Sequence, residues 1–198
     1  RRKATMLAVE LRGLGSIDEA PEVLMRELET CLSMIGEAAA RHAGVLVRSG
    51  GPTAYVQFGL PPAILPPAVS ALQATHTGME ILDGMRGINE ARVDRGMGPV
   101  QVSVAVATGD VVAGTIQIGK GEPALLGEAI MAAEGMLAIA RETGPAVFLI
   151  SEETHRSLGA EQRQFVFGRF GRAQVRGLPG DLGIHEVKDR LSKLADKG

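Results

Sequence analysis

Hydrophobic positions in this chain switch repeatedly between two periods, and each switch marks an element. From residue 4 to 11, Ala-Thr-Met-Leu-Ala-Val-Glu-Leu is almost wholly apolar, the pattern of a strand in the centre of a sheet. Gly13 and Gly15 break it. From about Pro21 to His42 the period becomes helical: Leu24, Leu28, Cys31, Leu32, Ile35 and Ala39 fall on one stripe, with Arg26, Glu27, Glu37 and Arg41 elsewhere. Proline is tolerated in the first turn, and Gly44 is the predicted stop. Two short strands, Val45 to Arg48 and Thr53 to Phe58, flank the turn Ser49-Gly50-Gly51-Pro52. A proline-rich lead-in precedes a second helix, about Ala68 to Arg92, whose stripe includes Val69, Leu72, His76, Met79, Leu82 and Met85.

Val100 to Val106 alternates strictly, which predicts a strand with one buried face. Thr108-Gly109-Asp110 reads as a turn, with Val111 to Ile118 returning. A third helix is predicted over about Ala124 to Thr143, and a strand over Ala146 to Ile150. Ser151 then has the chemistry of a helix N-cap. Strands near Phe165 to Phe170, Ala173 to Arg176 and Ile184 to Val187 follow. The order predicts an α+β fold: a ferredoxin-like βαββαβ core with extra C-terminal strands. Residues 1–187 are read as one domain and 188–198 as a charged C-terminal tail.

Composition narrows the function classes. The chain has 198 residues, 45% apolar and 22% charged, with a formal net charge of −2. That is globular composition without the basic footprint of a nucleic-acid binder. One cysteine, Cys31, excludes an internal disulfide framework and any multi-cysteine metal site. No apolar stretch approaches the ~18 residues of a membrane span. The opening Arg-Arg-Lys-Ala-Thr has neither an initiator Met nor the apolar run of a signal peptide. The expectation is a cytoplasmic piece of a longer protein, with no membrane contact by this segment. His42, His76, His155 and His185 lack metal-ligand spacing. His42 and His155 are expected on the surface, His76 packed, and Cys31 in the core.

Five local segments together carry a resemblance. They are Ala8-Val9-Glu10-Leu11-Arg12-Gly13, Val106 to Gly114, Leu125-Leu126-Gly127-Glu128-Ala129-Ile130, Val147 to Glu152, and Val175-Arg176-Gly177-Leu178-Pro179. In order and spacing they resemble the class III nucleotidyl cyclases, over about residues 4 to 188. That resemblance implies the cyclase fold, a dimer with sites at its interface, and two divalent ions held by two Asp carboxylates. It also implies a base-reading Lys with a polar partner, an Asn and an Arg on the helix after the hairpin, and a phosphate-binding Lys.

The matching positions of this chain depart from that set. The first metal ligand falls on Glu10, still a carboxylate and either a residual metal ligand or a strand-end acid. The second falls on Pro52, which cannot ligate through a side chain. The base-reading Lys falls on Arg48 and its partner on Ala124. The Asn falls on Met131 and the Arg on Gly135. The phosphate-binding Lys falls on Arg176. No Asp lies between Asp18 and Asp83, and Asn89 is the chain's only Asn, so no slip of register restores the set. Arg141, nearly two helical turns beyond Gly135, is expected to point elsewhere.

The resulting expectation is a catalytically degenerate cyclase-like domain serving as a dimerisation or regulatory module in signal transduction. Its partner would be a second copy or a related cyclase domain. No cofactor is expected, with Mg²⁺ or Mn²⁺ only if residual activity exists. The alternatives are a nucleotide or anion sensor built on Arg12, Gly13, Arg48 and Arg176, or a weakly active or heterodimeric adenylate or guanylate cyclase.

Overall fold

A computed structural model of the chain describes residues 2–14, 20–116 and 122–191, with backbone alone at 48–50, 115–116 and 122–124. The strands are β1 (Arg2–Arg12), β2 (Val45–Gly50), β3 (Thr53–Phe58), β4 (Gln101–Ile116), β5 (Glu122–Gly127), β6 (Ala146–Ser151), β7 (Phe165–Gln174) and β8 (Asp181–Arg190). The helices are α1 (Pro21–Arg41), α2 (Pro67–Asp94), α3 (Glu128–Thr143) and α4 (Glu152–Leu158), followed by a 3₁₀ turn over Gly159–Gln164. All eight strands form one sheet in the order β2-β3-β1-β4-β6-β8-β7, with β5 folded onto β4. The four-strand part β2-β3-β1-β4, with α1 and α2 as its crossovers, is the expected ferredoxin-like core.

Side-chain size assigns the two faces of the sheet. Leu7, Val9 and Leu11 of β1 and Val102, Val104 and Val106 of β4 pack against Cys31 and Ile35 of α1 and against Ala74, Ile81 and Met85 of α2. On the other face, Ala8, Ala105 and Ala107 meet Ala132, Ala133, Met136 and Ala140 of α3. Small residues on both sides let α3 lie close to the strands. β4 is therefore buried on both faces from Val102 to Thr108, where its alternation predicted one. The alternating Ser103, Ala105 and Ala107 are small because a helix covers them.

Four further expectations are corrected. Thr108-Gly109-Asp110 is extended rather than turned, because Arg2–Thr5 of β1 pair in register with Val111–Thr108 and carry β4 straight through. The returning strand is β5, and α3 starts at Glu128 rather than Ala124. Gly127, at φ 147°, makes the switch from strand to helix where any Cβ would run into the Asp110 carbonyl. β7 is continuous from Phe165 to Gln174 where two strands were expected, its pairing with β8 shifting register on the way. After α1 the left-handed residue is Ala43 (φ 56°), not Gly44. Gly44 is needed for space: a Cβ there would lie 2.6 Å from the Phe58 ring.

Candidate functional site

Glu10 stands near the end of β1, paired with Thr53 of β3 and Ser103 of β4. Its side chain is 15% exposed. Arg141, in the last turn of α3, reaches it in a two-pronged contact: Nε donates to Oε2 at 3.0 Å and Nη2 to Oε1 at 2.6 Å. The hydrogen bond to Glu10, then its charge, raises the Arg141 pKa above the ordinary guanidinium value. Arg12 completes the cluster. Its Nη1 donates to the Arg141 carbonyl at 2.9 Å, and its Nη2 to Ser103 Oγ at 3.1 Å and the Gly144 carbonyl at 3.2 Å. It thereby caps the C-terminal end of α3, whose last carbonyls lack partners within the helix and favour a cation.

Pro52 sits beside this cluster, its carbonyl accepting from Leu11 N–H at 2.9 Å. This position, in the turn between β2 and β3, is where the resemblance puts a second carboxylate, but no side-chain ligand stands there. Both oxygens of Glu10 already accept from Arg141. Among the described residues, no group of three or more His, Cys, Asp or Glu is arranged to hold a metal ion. This donor set does not fit a pair of divalent ions.

The outer face of α3 forms a second cluster, an open groove of about 710 Å³ lined by Met131, Glu134, Gly135, Ile139, Val175 and Arg176 among others. A Cβ at Gly135 would run into the Val175 methyls, and one at Gly177 into the Met131 methyl. The segment after β7 therefore closes down on the two α3 positions matched to the Asn and Arg. Tyr55 Oη donates to Glu134 Oε1 at 3.1 Å across the same helix. Arg176 is exposed at the groove. Gly13 takes a left-handed φ of 79°, which accounts for the glycine as a turn residue. Residues 15–19 and the side chains of Arg48 and Ala124 lie outside the described residues.

The structure thus joins Glu10 to Arg12 at one end of α3, and Met131 and Gly135 to Arg176 on its outer face. Sequence reasoning missed Arg141. Helical spacing does turn it away from the Gly135 face, but only the sheet reveals that Glu10 lies beneath it.

Other expectations fall out simply. Ser151 Oγ accepts from Thr154 N–H at 3.1 Å as an N-cap. Cys31 is buried, and burial, with Glu27 adding to it, pushes its thiol up to about 11, so it stays protonated. His42 and His155, expected on the surface, are half-buried and stacked on other histidines. Among the described residues, no helix is long and apolar enough to cross a membrane.

Neither a protein-family model nor a curated protein matches the sequence. Solved structures do match the fold. The adenylyl cyclase CyaB from P. aeruginosa superposes with a TM-score of 0.85 at 20% identity, over 94% of each chain. The guanylyl cyclase Cya2 gives 0.81 at 23% identity, covering 96% of this chain and 93% of that one. The guanylate cyclase domain of RhGC from Catenaria anguillulae, solved in complex with GTP, gives 0.80 at 17% identity, over 95% and 97%. The chain has the fold of the class III adenylyl and guanylyl cyclase domains.

Proposed function

We propose that this chain is a cyclase-fold domain without cyclase chemistry, which acts by associating with a second copy or a related domain as a regulatory module in signalling. The observation that carries this reading is the Glu10–Arg141 pair. A divalent ion approaching Glu10 meets a guanidinium already bound to both carboxylate oxygens. An ion must compete with that two-pronged contact, and Pro52 supplies no second ligand to offset the exchange. Mg²⁺ is strict about geometry and sheds water reluctantly, so one contested carboxylate holds it poorly. Loss of an Arg that stabilises phosphoryl-type charge costs ~10³–10⁵ in rate where comparable groups have been removed, or ~4–7 kcal/mol of barrier.

Incubation with ATP or GTP, in Mg²⁺ and in Mn²⁺, is expected to yield no cyclic nucleotide above a blank. Clear production that Glu10→Ala abolishes would overturn the reading.

Association has its own support. Val112 and Leu126 are register partners on the β4–β5 hairpin and are 49% and 67% exposed. Water-facing apolar neighbours of this size favour a partner surface. The expected solution mass at tens of micromolar protein is above that of one chain. Leu126→Glu is expected to return it to one chain with an unchanged far-ultraviolet circular dichroism spectrum. A parent that sediments as a single chain counts against association.

The anion-sensor reading draws less support, since Nη1 and Nη2 of Arg12 are already committed to Ser103 and to the end of α3.

A further inference from the structure

The four histidines of the chain form two stacked pairs. His155 of α4 lies face to face with His185 of β8, ring centroids 4.0 Å apart and planes 11° from parallel. Phe167 of β7 meets His155 edge-on at 4.7 Å, and Phe170 leans on His185 at 4.6 Å. Farther along, His42 stacks on His76 at 5.9 Å, and Phe165 covers His76 at 5.0 Å. Phe165 and Phe167 lie 6.3 Å apart and link the two pairs into one continuous train of rings. Gln162 donates to the His155 carbonyl at 2.7 Å and Gln164 bonds His76 Nε2 at 3.1 Å, so the 3₁₀ turn is held at both pairs.

We propose that the His155–His185 stack is an acid-sensitive latch that holds the β7–β8 hairpin against α4. Two neutral imidazoles stack favourably; two imidazolium rings 4.0 Å apart repel across a partly dry contact. The charged surroundings do not cancel this. Glu152 of α4 is the carboxylate nearest in effect, but Arg156 of the same helix and Arg172 of β7 reach it at 2.5 and 3.7 Å. Glu186, next to His185 in β8, is paired with Lys188, and β6 places Ile150 beside His185.

Burial lowers the pKa of both rings, and His155 lowers that of His185 further, while Glu152 opposes the shift at both. The folded hairpin therefore binds fewer protons than the loosened one. Its stability is full above the ordinary imidazole value of about 6.5 and is lost as pH falls from there through the folded-state values. His76 of the second pair pulls the same way. Burial, then Arg190 of β8, then His42 lowers the His76 pKa against Gln164 and Glu161, while Glu80, held by Arg41 at 2.5 Å, bonds His42. β7 runs directly into the segment that closes over Gly135 and Met131, so opening the latch also loosens that cover.

Native-state hydrogen exchange at about pH 7.5 and about pH 5, corrected for the intrinsic rate, tests the latch. The β7 and β8 amides are expected to lose at least ~10-fold more protection than those of β1 and β4 at the acid value. His185→Phe keeps an aromatic ring on His155 without a second charge, and is expected to remove that difference. In the unaltered protein, ring resonances of His155 and His185 should titrate in two steps separated by more than ~1 pH unit. β7–β8 exchange that follows β1 at both values, equal acid loosening in His185→Phe, or a single ordinary titration step for both rings would overturn the proposal. Should His185→Phe not fold, the titration of the unaltered protein decides alone.

Discussion

Glu27→Ala is expected to remove about 3–5 kcal/mol of stability, the cost of breaking a buried ion pair from one side. Arg92 is among the largest fully buried side chains, although it belongs to the most polar of residue types. It hydrogen-bonds Glu27 between α1 and α2, and its Nε donates to the Gly98 carbonyl at 2.9 Å. Arg95 adds a second cation, 3.1 Å from the other Glu27 oxygen. Without the carboxylate, the Arg92 guanidinium keeps one carbonyl partner in an apolar setting, and an unsatisfied buried charge is the expensive outcome. Urea unfolding with an unchanged slope should show the loss as a lower midpoint. The paired change Glu27→Leu with Arg92→Met should recover most of it, because no charge is then left stranded. A double variant as unstable as the sum of its parts would show that the helices need the charges for another reason.

That ion pair illustrates what was legible in the sequence and what was not. Glu27 read as a charge off the apolar stripe of α1, because a stripe records hydrophobicity and not which long side chain folds back beneath a neighbouring helix. β1 was readable because its nearly continuous apolar run is buried almost throughout, and α1 and α2 because a helical period runs along them, although their buried faces also take in Glu27, Ser70 and Arg92 from off the predicted stripes. β4 was misread at Thr108-Gly109-Asp110, where turn-forming residues are held extended by eleven consecutive partners on β1. Local chemistry proposes a turn, and pairing with a strand some hundred residues away overrides it. The same reach explains Arg141. Its contact with Glu10 spans 131 positions, and no local pattern announces it. The departures from the resemblance, by contrast, were visible one by one: Pro52, Met131 and Gly135 do not carry the groups that the cyclase resemblance implies at those positions. What residue type does not announce is that the Val175 methyls already lie where a Gly135 Cβ would go.

The filling leads to the second large effect, on any attempt to write the missing groups back. Gly135→Arg is expected to destabilise the domain and to yield no cyclase activity. In the middle of α3, replacing glycine returns about 1 kcal/mol of helix propensity. Against this, the new side chain must displace Val175, whose methyls already occupy the place of a Cβ. Overpacking against a fixed neighbour typically costs about 1–3 kcal/mol, and a long cationic chain forced past Val175 belongs at the upper end. The net expectation is a loss near 2 kcal/mol, seen as a Tm lowered by roughly 4–8 °C for a chain of this size. Val175→Ala alone should cost little, since Val175 is only half-buried. Combined with Gly135→Arg it should restore most of the loss, giving a coupling energy of about 1 kcal/mol or more in the double-variant cycle. Independent effects would mean that Val175 swings aside freely and the groove is open. Strong coupling would mean that α3 and the segment after β7 have been fitted to each other. Adding Met131→Asn should not help in either background, because the Met131 methyl rests on Gly177 and its removal leaves a gap there without moving Arg141 off Glu10. On the proposed reading, cyclase chemistry requires freeing a carboxylate, adding a second one at Pro52 and reopening α3 together, and no single substitution does more than one of these.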